Sequence, residues 1–300
     1  MARNWSPELA EMWAKVNQRR ALSGITPAGF DAAGFRSAAL PYAFDLPDGL
    51  AIVEAARPVP GRWLVPGGAD PRRRIVYFHG GGFVGGGWAP YKGIAAWLAQ
   101  YSGSAVFFAD YRRAPEHVFP AAAHDAHTML QHAFREGPVG SGEAMSVIAA
   151  GDSAGGNLAV AAALMARDRG EPMPAACVAA SGIFNLDPQT SSFLAKEKFR
   201  TDLLGCYASG AATRDPLASP LLADLSGMPP LFLQIGSADD LLDDNLQMAA
   251  AAARAGVAVQ LQVVPEMPHV WQRFVGYAPE ATLAVRQLAR FCLDTTGAAP

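Results

Sequence analysis

One stretch constrains the fold more than any other: Ser146-Val-Ile-Ala-Ala-Gly-Asp-Ser-Ala-Gly-Gly-Asn-Leu-Ala-Val, residues 146–160. A short apolar run, a turn with glycines flanking a serine, and a longer apolar run predict a strand that enters a helix through a sharp bend. Small residues at Gly151 and Gly155 let strand and helix approach closely, so that the Ser153 hydroxyl projects clear of the sheet. Gly-x-Ser-x-Gly in an ordinary loop would mean little. The strand before it and the helix after it supply the context that a nucleophilic serine requires.

From residue 50 the whole chain alternates in this way, which predicts βαβ units around a largely parallel sheet and an α/β fold class. Strands are expected at 50–55, 62–65, 75–78, 105–109, 146–150, 176–180, 231–235 and 259–264, eight in all. Helices are expected at about 91–101, 121–135, 154–169, 243–255 and 279–295. The link between the first two strands is too short for a helical crossover, so they should form an antiparallel edge. Two segments depart from the alternation. Residues 1–48 begin with a helix that Ser6 can cap, that Pro7 suits, and in which Leu9, Met12, Trp13 and Val16 share a face; short turns and loops are expected over 28–48. Residues 183–225, broken by Pro188, Gly205, Gly210, Pro216 and Pro220, form an excursion of the length used for lids and binding elements. The expected division is an N-terminal segment 1–48, a core in two parts, 49–182 and 226–300, and the excursion 183–225 between them.

A serine hydroxyl is a poor nucleophile at neutral pH, so Ser153 needs a base, and the base needs a carboxylate to fix its tautomer. Of the six histidines only His269 lies beyond Ser153, in Pro265-Glu-Met-Pro-His, just after the last strand. The order serine, acid, histidine therefore selects it. The acid belongs in the loop after strand 231–235, Gly236-Ser-Ala-Asp-Asp-Leu-Leu-Asp-Asp. Asp239 is preferred as the earliest, Asp240 is the alternative, and Asp243 and Asp244 fall where a helix N-terminus favours carboxylates anyway. Upstream, His79-Gly-Gly-Gly-Phe follows strand 75–78. Glycine backbone there can aim N–H groups at a developing oxyanion, which selects Gly81 and Gly82, with Ala154 at the start of the helix after the serine as third donor.

These motifs and a further one, Asp110-Tyr-Arg-Arg-Ala-Pro-Glu-His-Val-Phe-Pro-Ala-Ala, resemble the bacterial hormone-sensitive-lipase-like esterases from about residue 75 onward. Arg113 and Val118 depart from the family's Leu and Pro at those places. The family's Asp-Pro-Leu acid loop appears as Asp239-Asp240-Leu241, and its Met-x-His element as Met267-Pro-His269. The resemblance implies an α/β-hydrolase fold with a helical cap built from the two irregular segments. Trp13, Phe184, Phe193, Leu203 and Tyr207 then become candidate pocket walls, with Trp88 and Trp271 near the oxyanion loop and the histidine. It also implies hydrolysis of small short-to-medium acyl esters. Lactone hydrolysis by the same groups is the alternative, and a non-catalytic small-ligand receptor of the same fold is disfavoured by the presence of His269.

Composition closes off other classes. A hydrophobic fraction of 51%, a charged fraction of 17% and a net charge of -3 describe a chain that buries a large core and offers nucleic acid no attraction. The basic run Arg72-Arg73-Arg74 reads as a solvated strand entrance. Cys177, Cys206 and Cys292 are widely spaced and odd in number, which suggests neither disulfides nor zinc and fits the cytoplasm. No run nears the ~18 apolar residues of a membrane span, and the N-terminus lacks a signal-peptide core. His124, His127 and His132 share one predicted helix but have no Cys or His-Glu pattern beside them, so no metal is expected. No nucleotide motif is present, and no cofactor is implied. A homodimer is left open.

Overall fold

The structure is a computed structural model that describes residues 5–20, 25–26, 29–37, 45–196 and 198–296. Its centre is one eight-stranded sheet: β1 Ala51–Ala55, β2 Gly61–Val65, β3 Asp70–Phe78, β4 Ser104–Ala109, β5 Ser146–Asp152, β6 Ala176–Ala180, β7 Leu231–Gly236 and β8 Val259–Val264. The spatial order is β8-β7-β6-β5-β3-β4-β2-β1. β2 runs antiparallel to both β1 and β4, and every other pairing is parallel. All eight expected strands are present, and the antiparallel edge is where the short link requires it.

Side chains alternate across the sheet with the two-residue period of a strand. Val76 and Phe78 of β3, with Val147 and Ala149 of β5, face helices α4 (Ala121–Ala133) and α5 (Ala154–Asp168). Ile75, Tyr77, Ile148 and Ala150 face α3 (Trp88–Ser102) and α8 (Pro279–Thr295). α5 is buried on all sides through Ala166, which its alanines and glycines permit because they let helix and sheet lie close together. α7 (Leu242–Arg254) carries the chain from β7 to β8. A third, smaller core joins Leu9 and Met12 of α1 (Pro7–Arg20) to Trp271, Phe274 and the first turns of α8. Ser6 caps α1, its Oγ accepting from the Leu9 N–H at 3.2 Å.

The basic run at the start of β3 is not uniformly solvated. Arg72 reaches water beside Asp70, whereas Arg74 is 3% exposed and donates to the carbonyls of Pro71, Ala133 and Gly142. It ties the strand entrance to the end of α4, a long-range role that three adjacent arginines do not advertise.

Of the stretch 28–48, the described part holds a two-residue ladder strand Gly29–Phe30 and a short helix α2, Ala32–Ser37; Ala28 and residues 38–44 lie outside the described residues. The excursion 183–225 contains α6, Lys198–Gly205, and three short 3-10 turns. One buried side chain closes most of it into a loop: the Asn157 amide of α5 donates to Ile183 O at 3.0 Å and to Ala218 O at 2.8 Å. Asp244 of α7 accepts from the N–H groups of Phe184 and Asn185. Among the described residues no helix is long and apolar enough to cross a membrane.

Candidate active site

Strand order reverses at β3, which has β4 on one side and β5 on the other, and a crevice forms beyond the carboxyl ends of strands at such a switch. The glycine loop leaves β3 and the serine turn leaves β5 at this point. Ser153 sits in the bend at φ 52°, ψ -117°, a left-handed conformation that costs a non-glycine residue energy. Its N–H donates to Ala180 O at 2.9 Å, and the helix that begins at Ala154 holds it from the other side.

His269, five residues past β8, brings Nε2 to 3.1 Å from Ser153 Oγ. Its Nδ1 lies 3.0 and 3.1 Å from the two carboxylate oxygens of Asp239. Asp239 is 5% exposed. Burial alone would push its pKa up. The charge and hydrogen bond of His269, the Leu241 N–H and the Ser181 hydroxyl outweigh burial and hold the carboxyl below the ordinary range, so it is ionised near neutrality. Asp240, the alternative acid, instead turns outward to Lys196 and Arg200 of the excursion.

The glycine loop is fixed from below. His79 is fully buried, stacked at 4.4 Å on Tyr111, and its Nδ1 lies 2.7 Å from Gly80 O. Burial drives its pKa down to about 3, so the ring is neutral. Tyr111 donates to His79 O at 2.7 Å. Asp152, immediately before the serine, is fully buried and accepts from the Gly80 N–H at 3.1 Å and from Tyr77 Oη at 2.5 Å. Burial raises its pKa to about 6, against the opposing pull of the Tyr77 hydrogen bond and of the Arg273 and His269 charges. One carboxylate thus fastens the serine turn to the glycine loop. Gly81 and Gly82 have φ 119° and 62°, and neither donates its N–H to a backbone acceptor among the described residues. The Ala154 N–H lies in the first turn of α5, where intrahelical partners are lacking.

The two irregular segments meet over this loop. Phe30 and Phe35 form an aromatic cluster with Phe199 of α6, with ring centroids 5.6–6.2 Å apart. Phe35 lies over Gly85, and Leu203 of α6 lies over Gly82, its Cδ2 2.9 Å from where a β-carbon would stand. Arg36 reaches down to the carbonyls of Val84 and Ala114 and pairs with Glu116. Tyr207 stacks on Phe83 at 3.9 Å.

Several expected wall residues are placed differently. Tyr207, Phe184 and Trp271 are at most 1% exposed and spend their surface on packing: Tyr207 on Phe83, Phe184 against Gly182, and Trp271 in the core beneath α1. Trp88 packs edge-on against Phe108 and under Arg62, in the α3 layer. Trp13 packs edge-on against Trp5, and Phe193 lies beneath Arg200. Large aromatic side chains near a site in sequence are taken up by the nearest apolar layer. Of the named walls, Leu203 lies against Gly82 of the glycine loop and Tyr207 is stacked on Phe83 at its end, and Phe35 joins them from a segment without a readable period. Asp152 has no sequence signal either, because nothing local says that its carboxylate is buried.

Residues 75–273 match the model of a family described as having the alpha/beta hydrolase fold. Among curated proteins, an acetyl-hydrolase of Streptomyces hygroscopicus is 37% identical over 245 residues, covering 78% of this chain and 80% of that protein. An esterase of Acinetobacter venetianus is 31% identical over 238 residues, covering 74% and 75% of the two chains. A crystal structure of an esterase from the bacterial hormone-sensitive lipase family superposes with a TM-score of 0.86 at 32% identity, covering 99% of this chain and 100% of that one. The esterase EstE5 soaked with p-nitrophenyl butyrate gives a TM-score of 0.85 at 28% identity, covering 98% and 100%. The chain belongs to the alpha/beta hydrolase fold family and, within it, to the bacterial hormone-sensitive-lipase-like esterases.

Proposed function

We propose that this esterase hydrolyses small carboxylic esters with short acyl chains through Ser153, His269 and Asp239. The observation that carries the reading is the unbroken line from Ser153 Oγ to His269 Nε2 at 3.1 Å and from His269 Nδ1 to the buried Asp239 carboxylate at 3.0 Å. His269 takes the hydroxyl proton as Ser153 Oγ bonds to the ester carbonyl carbon. The oxyanion so formed is held by the N–H groups of Gly81, Gly82 and Ala154. The intermediate collapses, the proton passes from His269 to the departing alkoxide, and an acyl-serine remains. Water then gives its proton to His269 and attacks, and the acid leaves as Ser153 regains its proton. Asp239 stays ionised throughout, stabilising the imidazolium and its tautomer.

The reading further takes residues 1–48 and 183–225 as a cap over the core segments 49–182 and 226–300. Leu203 and Phe35, pressed against the glycine loop, support a limit on acyl length, and the match to an acetyl-hydrolase points the same way. Chromogenic esters of increasing acyl length, compared with a lactone panel and with Ser153→Ala as blank, test it. The expected result is highest kcat/KM on acetate to butyrate esters and none with the variant. Turnover of lactones alone would overturn the ester assignment, and near-normal turnover by folded Ser153→Ala would overturn the triad.

A further inference from the structure

Five non-glycine residues among those described hold a left-handed backbone: Phe83, Ser153, Ser181, Glu266 and Val270. Such residues cost folding energy and persist only where their surroundings over-determine them, which is why they gather at working sites. Four are already accounted for by position. Phe83 ends the glycine loop, Ser153 is the nucleophile, and Glu266 and Val270 flank His269. Ser181, at φ 50°, has no part in the reaction as described. It follows β6, between the strand that carries Ser153 and the strand that leads to Asp239.

Glycine would adopt this conformation without penalty, so the side chain present must be weighed. Ser181 is fully buried, and its backbone N–H donates to Gln234 O at 2.8 Å, on the strand that leads to the acid. Its Oγ accepts from the N–H of Val270, the residue after His269, at 3.2 Å. The same hydroxyl favours the ionised form of the Asp239 carboxylate and helps to hold its pKa down. A hydroxyl can accept and donate at once; here its acceptor side engages the base loop, which leaves its hydrogen for the acid.

We propose that Ser181 is a positioning residue for the triad, its hydroxyl joining the Asp239 carboxylate to the peptide that follows His269. This rests on the assignment of Ser153, His269 and Asp239 made above. His269 is oriented by two things, the carboxylate at Nδ1 and the backbone that carries the ring, and Ser181 touches both. Without the hydroxyl, acid and base loops settle independently and the imidazole drifts from Ser153 Oγ. Misplacement by about 1 Å can cost roughly 10²-fold in rate.

Ser181→Gly separates this role from a structural one, because it removes the hydroxyl and the backbone strain together. The variant should melt no lower than the wild type, yet its kcat on p-nitrophenyl acetate should fall by about 10-fold or more, with KM changed by less than about threefold. Ser181→Ala should lose a similar factor in kcat while keeping the strain. In an Asp239→Asn background, assayed at high enzyme concentration against a Ser153→Ala blank, adding Ser181→Gly should cost less than about twofold. A kcat for Ser181→Gly within about twofold of wild type, or an undiminished loss in the Asp239→Asn background, overturns the inference. Loss of activity in Ser153→Ala alongside normal Ser181→Gly would sink this proposal and leave the triad standing, whereas activity in Ser153→Ala would remove the triad itself.

Discussion

The glycine loop with its serine turn and the two irregular segments above them are built from different materials. The loop and turn are fixed by backbone geometry and buried polar contacts: Asp152 on Gly80 and Tyr77, Tyr111 on His79, and left-handed bends that only one arrangement of the chain satisfies. The irregular segments are anchored to the core by the buried Asn157 and Asp244, but where they lie over the loop they are held by apolar side chains and an exposed ion pair, with Phe30, Phe35 and Phe199 clustered, Leu203 laid on Gly82, and Arg36 paired with Glu116. Buried polar contacts are specific and tolerate little change; apolar contacts exchange volume for volume. Reaction type should therefore be rigid in this molecule and substrate range soft.

The comparison can be broken at several levels. Asp239→Asn leaves the shape of the triad but holds the wrong tautomer of His269, and kcat should fall by about 10⁴-fold; steady-state kinetics showing less than a tenfold loss would mean that another carboxylate serves. Gly81→Ala places a methyl group against the backbone of Gly85 and Gly86 and strains a φ of 119°. Turnover should drop by about 10²- to 10³-fold as the oxyanion donors move, with thermal unfolding as the control for global damage. In α6, Leu203→Ala should leave acetate turnover within about threefold and raise hexanoate relative to acetate kcat/KM by about 10-fold, the amount that a few methylenes in a pocket are worth. An unchanged profile would take Leu203 out of the wall.

Two smaller effects concern stability. Asp244 grips the first residues of the excursion, and burial raises its pKa to about 6, above the ordinary carboxylate range, despite the Phe184 and Asn185 N–H groups that favour its ionised form. The native state then binds a proton that the unfolded state has released between about pH 4 and 6, so this group's contribution weakens as pH rises through that window. The melting-temperature advantage of wild type over Asp244→Asn should shrink from pH 5 to pH 8; growth instead would reverse the sign. Glu116→Gln removes the exposed partner of Arg36 and should leave the melting temperature nearly unchanged, because exposed ion pairs stabilise little, with no change in acyl profile.

Legibility followed the same division. The eight strands, the bend at Ser153 and the downstream carboxylate and histidine that meet it were readable because short-range patterns determine them: apolar runs of strand length, glycines around a serine, and a single histidine downstream. The structure brings Ser153, His269 and Asp239 together, and it sets Gly81, Gly82 and Ala154 at the adjoining backbone turns. The buried supports were not readable. Asp152 looks like any polar turn residue until Tyr77 and Gly80, more than seventy positions away, close around it. Phe35 lies in a six-residue helix with no period to announce its face. The resemblance puts Tyr207 in a wall through its place in the excursion, and Trp271 stands near His269 in sequence, yet large rings go where the most apolar surface is buried, which is under the loops rather than between them.

The Asn157 amide, by holding Ile183 and Ala218 together, makes residues 183–218 a closed loop whose two ends meet on one helix of the core. For a loop with fixed ends, the closure entropy grows only with the logarithm of its length, about 0.6 kcal/mol for each doubling. Insertions or deletions between those two carbonyls thus add little to the cost of folding the sheet. A lineage of such chains could lengthen, shorten or replace the loop while the turns beneath it stay untouched, and Asn157 is the point at which that freedom ends.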